Sequence, residues 1–404
     1  MKNFNKNIIV FMSCIIFIGI GLCSKNLYLE IGNALQDFFT GNASITYRIN
    51  KLENKINKIF DEETSYRYHM VTINSIKNNI LGTKVIIKDN EKIVESDSGK
   101  LMLEKNKITD TEISFIVSNI LKLKNIAESN NAKFLYCVAP TKELYEKAPA
   151  NIQNYAQYNH SSFLYHLEQQ HIPFIDLSQA LTNCDINTSE IFYRTDHHWT
   201  TKSGFFTAKS ICEELSLRYN FKYDIRYTDI NNYNIRLYQN YFLGSRGKKV
   251  GLYFNGRGAD DFELITPKFS TNITEEQPLK GITRTGSFEE TMLYTENLNI
   301  NYYEVDPYST YCGGIFRLQI MRNNLNSSGK KILLICDSFA GVVAPFLMLN
   351  TSELHTCDMR DFSGRKEKKL NAEQYIKEIN PDYVMVLYHS VSSIQESSGK
   401  YNFF

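Results

Sequence analysis

Three features that would narrow a function quickly are missing: a net charge, a cysteine framework and a signal-cleavage site. Lys and Arg number 45 against 44 Asp and Glu, a formal net charge of +1 over 404 residues. No global field steers such a chain toward nucleic acid or anionic lipid, so a nucleic-acid role has no compositional support. Eight cysteines are present, none in CxxC spacing. Cys14 and Cys23 fall in an apolar N-terminal run, and Cys137 and Cys336 sit inside apolar strand-like runs, where free Cys behaves as a small hydrophobe. Cys184, Cys212, Cys312 and Cys357 are scattered, which gives zinc no support and leaves any disulfide among them unassigned. Tryptophan occurs once, against 26 Tyr and 25 Phe. That richness suits a core first and a sugar-handling surface second.

Lys2 and Lys6 precede the uncharged apolar run 8–23, and Ser24 and Lys25 follow it. A positive flank on such a run directs export. Its sixteen residues fall just short of the roughly 17–25 of a spanning helix. No Ala-x-Ala site follows, and Leu22 before Cys23 does not suit a lipoprotein signal. Residues 1–24 are therefore expected to be an uncleaved signal anchor rather than a cleaved peptide or a core helix. The remainder then lies on the extracytoplasmic face of the cell membrane.

Residues 25–107 are Asn- and Lys-rich, with helical periodicity around 45–60 and a strand-like run at 84–88, and read as a spacer or accessory region. From 108 to 404 the pattern turns α/β. Helical spacing over 113–126, 163–170, 204–215, 342–349 and 372–379 alternates with apolar runs at 134–138, 172–177, 332–336, 353–357 and 383–387. Such alternation implies a parallel sheet covered on both faces. Residues 223–300 break the rhythm with Asn, Gly and Tyr, and read as an inserted β-rich region placed to frame substrate, or as a long loop.

Two segments carry chemistry. In Tyr193-Arg194-Thr195-Asp196-His197-His198-Trp199-Thr200, an extended backbone would put Asp196 and His198 on one face. The carboxylate then fixes the imidazole tautomer and stabilises the imidazolium. His197 is expected to point the other way and Trp199 to shield the pair from water. Adjacent histidines that diverge, with no further ligand cluster, argue against a metal, and no cofactor is implied. The second segment, Ile332–Ala340, places Ser338 where a buried strand gives way to a helix. There Oγ is exposed at the carboxyl edge of the sheet, and amides at the helix start can hold an oxyanion. Serine needs a base to become a nucleophile, and His198 is the one available. Taken singly, Asp196 and His198 are equally a structural pair, and Ser338 a helix N-cap.

Together, Asp196-His197-His198-Trp199 and the later Asp337-Ser338-Phe339 resemble the DHHW family of SGNH-hydrolase-like proteins, relatives of the alginate O-acetyltransferases. Pro140-Thr141-Lys142, Asp306 through Gly313 and Gly314, and Asp358-Met359-Arg360 add to the resemblance, which spans about 108–392. It implies a flavodoxin-like three-layer α/β/α SGNH domain with a mainly parallel sheet. It puts Ser338, His198 and Asp196 in the catalytic positions. It also implies acetyl transfer or hydrolysis on a polysaccharide of the cell surface or secreted, often beside a membrane-bound O-acyltransferase. Candidate substrate contacts are Lys142, Trp199, Gly313, Gly314 and Arg360, the last equally a partner of Asp358. Where the family has Asn after the Gly-Gly pair this chain has Ile315, which leaves the oxyanion to backbone amides or another side chain. The expected activity is O-acetyl transfer through an acyl-serine. Acetylester hydrolysis, or a non-catalytic glycan-binding or scaffold role, are its rivals.

Overall fold

In the computed structural model the buried runs become the strands of one large sheet. The structure describes residues 67–360, 369–389 and 399–404, with 33–34, 36–40, 47–48, 51–52 and 55 in helical pieces. The anchor expected over 1–24 and most of the periodic stretch 45–60 lie outside the described residues. Among the described residues no helix is long and apolar enough to cross a membrane. Two compact units emerge. The smaller takes in the described residues up to 81 together with Gly251–Phe254, and includes the helix Arg67–Ile80, where Ser75 Oγ accepts from the Tyr253 amide at 3.1 Å. The larger comprises residues 82–250 and 255–404. Residues 82–107, expected in the spacer, therefore belong to the α/β body.

The strands of the larger unit run in chain order. They are β1 (Val85–Lys88), β2 (Glu91–Glu95), β3 (Leu101–Leu103), β4 (Lys133–Ala139), β5 (Phe174–Asp176), β6 (Tyr233–Phe242) and β7 (Asp260–Pro267), then β8 (Ile273–Gln277), β9 (Ile282–Gly286), β10 (Leu318–Asn323), β11 (Lys331–Cys336), β12 (Glu353–Cys357) and β13 (Tyr383–His389). Eight of them form one sheet in the order β5-β4-β13-β11-β12-β10-β8-β9. The first five are parallel, and β10, β8 and β9 complete it antiparallel. The inserted region is thus divided: β8 and β9 extend the main sheet, while β6 and β7 pair as a separate ribbon.

Strand alternation builds both faces of this sheet. Leu135, Cys137, Leu334, Cys336, Met385 and Leu387 join one core with the helices Leu177–Thr182 and Thr201–Tyr219. Phe134, Tyr136, Leu333, Ile335, Val384 and Val386 join the other with the helices Asp110–Ser129, Ala156–Gln169 and Ala372–Ile379. The result is the expected three-layer α/β/α domain. Two helices start on caps read directly from the chain. Thr109 and Glu112 form a reciprocal capping box, and Thr200 accepts from Ser203 N–H. The helix expected over 342–349 is instead a 3-10 turn Ser338–Val342, a single α-turn Ala344–Leu347 with Pro345 inside it, and another 3-10 turn. The six described cysteines, Cys137, Cys184, Cys212, Cys312, Cys336 and Cys357, are all free thiols.

Candidate active site

β11 ends at Cys336, and Asp337 turns the chain by accepting the Phe339 amide on Oδ1 at 3.1 Å. This Asx-type cap presents Ser338, part-exposed, at the carboxyl end of the parallel strands. The site-bearing loop before the helix Thr201–Tyr219 closes on itself through a bridge between Phe192 and Trp199. Within it Asp196 and His198 are brought together differently from the extended alternation expected. Asp196 Oδ1 accepts from the His198 amide at 2.9 Å and lies 2.6 Å from His198 Nδ1, an Asx turn inside a bend. On the far side of the ring, His198 Nε2 lies 2.7 Å from Ser338 Oγ. One imidazole therefore bridges a carboxylate and a hydroxyl 140 positions apart in the chain.

The surroundings fix that imidazole. Tyr308, from the Asp306–Gly314 segment, stacks on it with ring centroids 4.1 Å apart and planes 12° apart. Phe339 packs against it at 5.2 Å. The Ser245 amide donates to Asp196 Oδ2 at 2.6 Å. Burial alone would raise the Asp196 carboxyl. The imidazoles of His197 and His198 and the donated hydrogen bonds outweigh it and hold the group well below the usual carboxylate range. Gly244 is required here, because a Cβ on it would sit 2.2 Å from Asp196 Cβ and 2.6 Å from its backbone nitrogen.

His197 does not point away. Its ring lies 3.8 Å from that of His198, and its Nδ1 bonds Ser245 Oγ at 2.9 Å. Ligand atoms of Asp196, His197 and His198 consequently fall within 4.8 Å of one another. Both ring nitrogens of His198 are taken, by Asp196 and Ser338, and Nδ1 of His197 is taken by Ser245 Oγ. The divergence expected of the two histidines, on which the case against a metal rested, does not occur.

Four of the five expected substrate contacts have other work. Trp199 is fully buried and its indole N–H donates to the Phe339 carbonyl at 3.0 Å, tying the base loop to the nucleophile turn. Lys142 is buried at the end of β4, where its ammonium donates to the carbonyls of Leu101 at 3.0 Å, Arg194 at 3.1 Å and Asp196. It thereby ties the loop that carries Asp196 and His198 to β3. Gly313 packs under the Tyr294 ring, and neither it nor Gly314 lines the cavity beside Ser338. Arg360 is paired with Asp358 at 2.9 and 3.1 Å, one of the two roles expected of it.

Other residues that shape the site carried weaker signals. Asp260, on β7, receives the amides of Arg194 and Thr195 at 2.8 and 2.7 Å, and so holds by its N–H groups the loop that Lys142 holds by its carbonyls. Of the amides that open the nucleophile turn, Phe339 is spent on Asp337 Oδ1 and Ala340 on the Asp337 carbonyl. That of Ser338 itself has no partner among the described residues and remains for an oxyanion. A cavity of about 540 Å³ beside the turn is lined by His197, Ser245, Phe339, His389, Lys105 and Thr141, among others. A larger cavity of about 730 Å³ is lined by Tyr193, Arg194 and Lys202. Neither cavity is lined by Asp196, His198 or Ser338 themselves; the smaller one borders them through their chain neighbours His197 and Phe339.

A three-layer α/β/α body with serine, histidine and aspartate gathered at the carboxyl edge of its sheet defines an SGNH-like fold. Residues 104–226, which contain Asp196 and His198, match the family model described as the SGNH hydrolase-like domain of acetyltransferase AlgX. Among solved structures, a DHHW family protein from Eubacterium siraeum superposes with a TM-score of 0.58 at 18% identity, over 79% of this chain and 97% of its own. Bacillus cereus PatB1 superposes at 0.62 and 20% identity, over 78% of this chain and 100% of its own, and a PatB1 structure with a sulfonyl adduct gives 0.61. At these identities the likeness is one of fold. No curated protein sequence matches the chain.

Proposed function

We propose that this chain is an extracytoplasmic O-acetyltransferase acting on a cell-surface or secreted polysaccharide through an acyl-serine. The observation that carries the reading is the placement of His198 between Asp196 at 2.6 Å and Ser338 at 2.7 Å. With Asp196 ionised and accepting from Nδ1–H, Nε2 carries the lone pair and takes the proton of Ser338 as Oγ attacks the acyl carbonyl. The Ser338 amide is placed to stabilise the oxyanion. As the tetrahedral adduct collapses, Nε2–H protonates the departing donor group and acetyl stays on Oγ. A sugar hydroxyl then gives its proton to Nε2, attacks the acyl-serine and leaves as the ester, and Oγ recovers the proton.

Location and partner belong to the same proposal. The Lys2/Lys6-flanked apolar run would hold the domain outside the membrane, where a membrane-bound O-acyltransferase could supply acyl groups. Water in place of the sugar would make the same site an esterase. Ile315 favours a further reading, a non-catalytic glycan-binding or scaffold subunit. One experiment separates the three: incubate the soluble domain with an activated acetyl ester, with and without oligosaccharide. Acetyl on the sugar supports transfer, free acetate alone supports the esterase, and no release with no labelling by a serine-directed phosphonate supports the scaffold.

A further inference from the structure

A second carboxylate–imidazole pair stands one residue from the nucleophile. Asp337 is fully buried, and its two oxygens are divided between tasks. Oδ1 caps the nucleophile turn at Phe339. Oδ2 accepts from the His389 amide at 3.0 Å and lies 2.6 Å from His389 Nδ1, with Lys400 Nζ 3.6 Å away. A buried carboxylate only accepts, and at 2.6 Å it is the much nearer neighbour of Nδ1, with Lys400 Nζ at 3.4 Å, so Nδ1 carries the proton and Nε2 offers a lone pair. That nitrogen has no partner among the described residues. His389 ends β13, the strand beside β11, and lines the same 540 Å³ cavity as His197, Ser245 and Phe339. Its ring stacks on Phe339 at 5.5 Å, the same phenyl that packs on His198 at 5.2 Å. Burial and the Lys400 charge, against the pull of Asp337, bring His389 down to about 4, so near neutral pH the lone pair is present. Capping the turn requires only Asp337. An oriented, unpartnered acceptor facing the cavity is not needed for that.

We propose that His389 Nε2 accepts a hydrogen bond from a second hydroxyl of the acceptor sugar, seating it while His198 deprotonates the hydroxyl that is acylated. The acceptor class is therefore a ring bearing at least two hydroxyls, and His389 is a specificity residue for it. This rests on the acyl-transfer reading above.

The test uses the soluble domain with an activated acetyl ester and an oligosaccharide acceptor, and reads the ratio of acetyl transferred to acetyl hydrolysed per burst-active site. His389→Asn keeps a group for Asp337 but none at the Nε2 position, and His389→Gln places an amide oxygen near it. Loss of one hydrogen bond to the acceptor predicts a ratio about tenfold lower in the Asn variant, with Gln recovering most of it. A role confined to holding Asp337 predicts the reverse order, and that order, or an unchanged ratio in both, overturns the inference. A wild type that releases no acetyl from the ester, with or without acceptor, overturns the acyl-transfer reading itself, and this inference with it.

Discussion

Replacing Asp196 by Asn tests the relay at the atom on which it turns. Asp196 accepts from three donors: the His198 amide at 2.9 Å and Nδ1 at 2.6 Å on Oδ1, and the Ser245 amide at 2.6 Å on Oδ2. An amide has one oxygen for these two sides. If its NH₂ faces His198, it opposes the backbone amide there, Nδ1 must become the acceptor, the proton moves to Nε2, and the ring can no longer take the proton of Ser338. If it faces Ser245, two buried donors oppose each other. The first arrangement costs about 10³–10⁴ in kcat, as a wrong tautomer does in a serine triad. The second costs about 1–3 kcal/mol of stability. Stability carries a pH signature as well. The folded-state pKa of Asp196 is held below the unfolded value, so its contribution is complete above about pH 4 and is lost as pH falls through the folded pKa. Denaturation of wild type and Asp196→Asn should therefore differ at pH 7 and converge as the pH drops below about 4. The assay is acetyl release from an activated ester in parallel with urea denaturation across that range. Asp196→Asn within tenfold of wild-type kcat and with undiminished stability at pH 7 would refute the relay.

Other perturbations reach the same site from different sides. Gly204→Ala should displace the nucleophile turn, since its Cβ would sit 2.5 Å from both Cγ2 and the carbonyl oxygen of Val342; we expect kcat to fall while KM for the ester moves little, read by initial rates. Tyr308→Leu removes the ring stacked on His198 and should lower kcat by about tenfold, consistent with roughly 1 kcal/mol for an aromatic contact. Lys142→Met leaves three carbonyls without their donor and should destabilise by on the order of 3 kcal/mol near neutral pH. Burial, and then Arg246, bring Lys142 down from 10.5 to about 7, so the native state gives up its proton before the unfolded chain does. Its contribution to stability thus rises with pH between about 7 and 10.5, and the Met variant should lose that slope in denaturation curves.

The parallel sheet was legible because its strands are continuous apolar runs and its helices keep a 3.6-residue period, signals that local sequence carries in full. The meeting of Asp196, His198 and Ser338 was legible because their residue types and the strand-to-helix position of Ser338 carry chemistry by themselves. What local sequence did not reveal depends on closure in three dimensions. Asp196 and His198 meet through an Asx turn stabilised by Ser245 and Asp260, distant residues whose role no periodicity announces. His197 was expected to diverge because strand alternation was assumed where a bend occurs. Lys142, a long cation after a strand, reads as a substrate contact until the carbonyls it serves are placed around it. β8 and β9 looked like insertion because they extend the sheet antiparallel, out of step with the helices before them. His389 drew no notice at the end of an apolar strand, since its significance lies in its neighbour Asp337.

The central claim is that Ser338 carries the acyl group. Acid quenching of the soluble domain during turnover of an activated acetyl ester, followed by peptide mass spectrometry, reads this directly. The account predicts a single acetyl on the peptide containing Ser338, absent from Ser338→Ala and strongly reduced in His198→Ala. Acetyl release at the wild-type rate by Ser338→Ala, or acetyl trapped on another residue in its place, would contradict it.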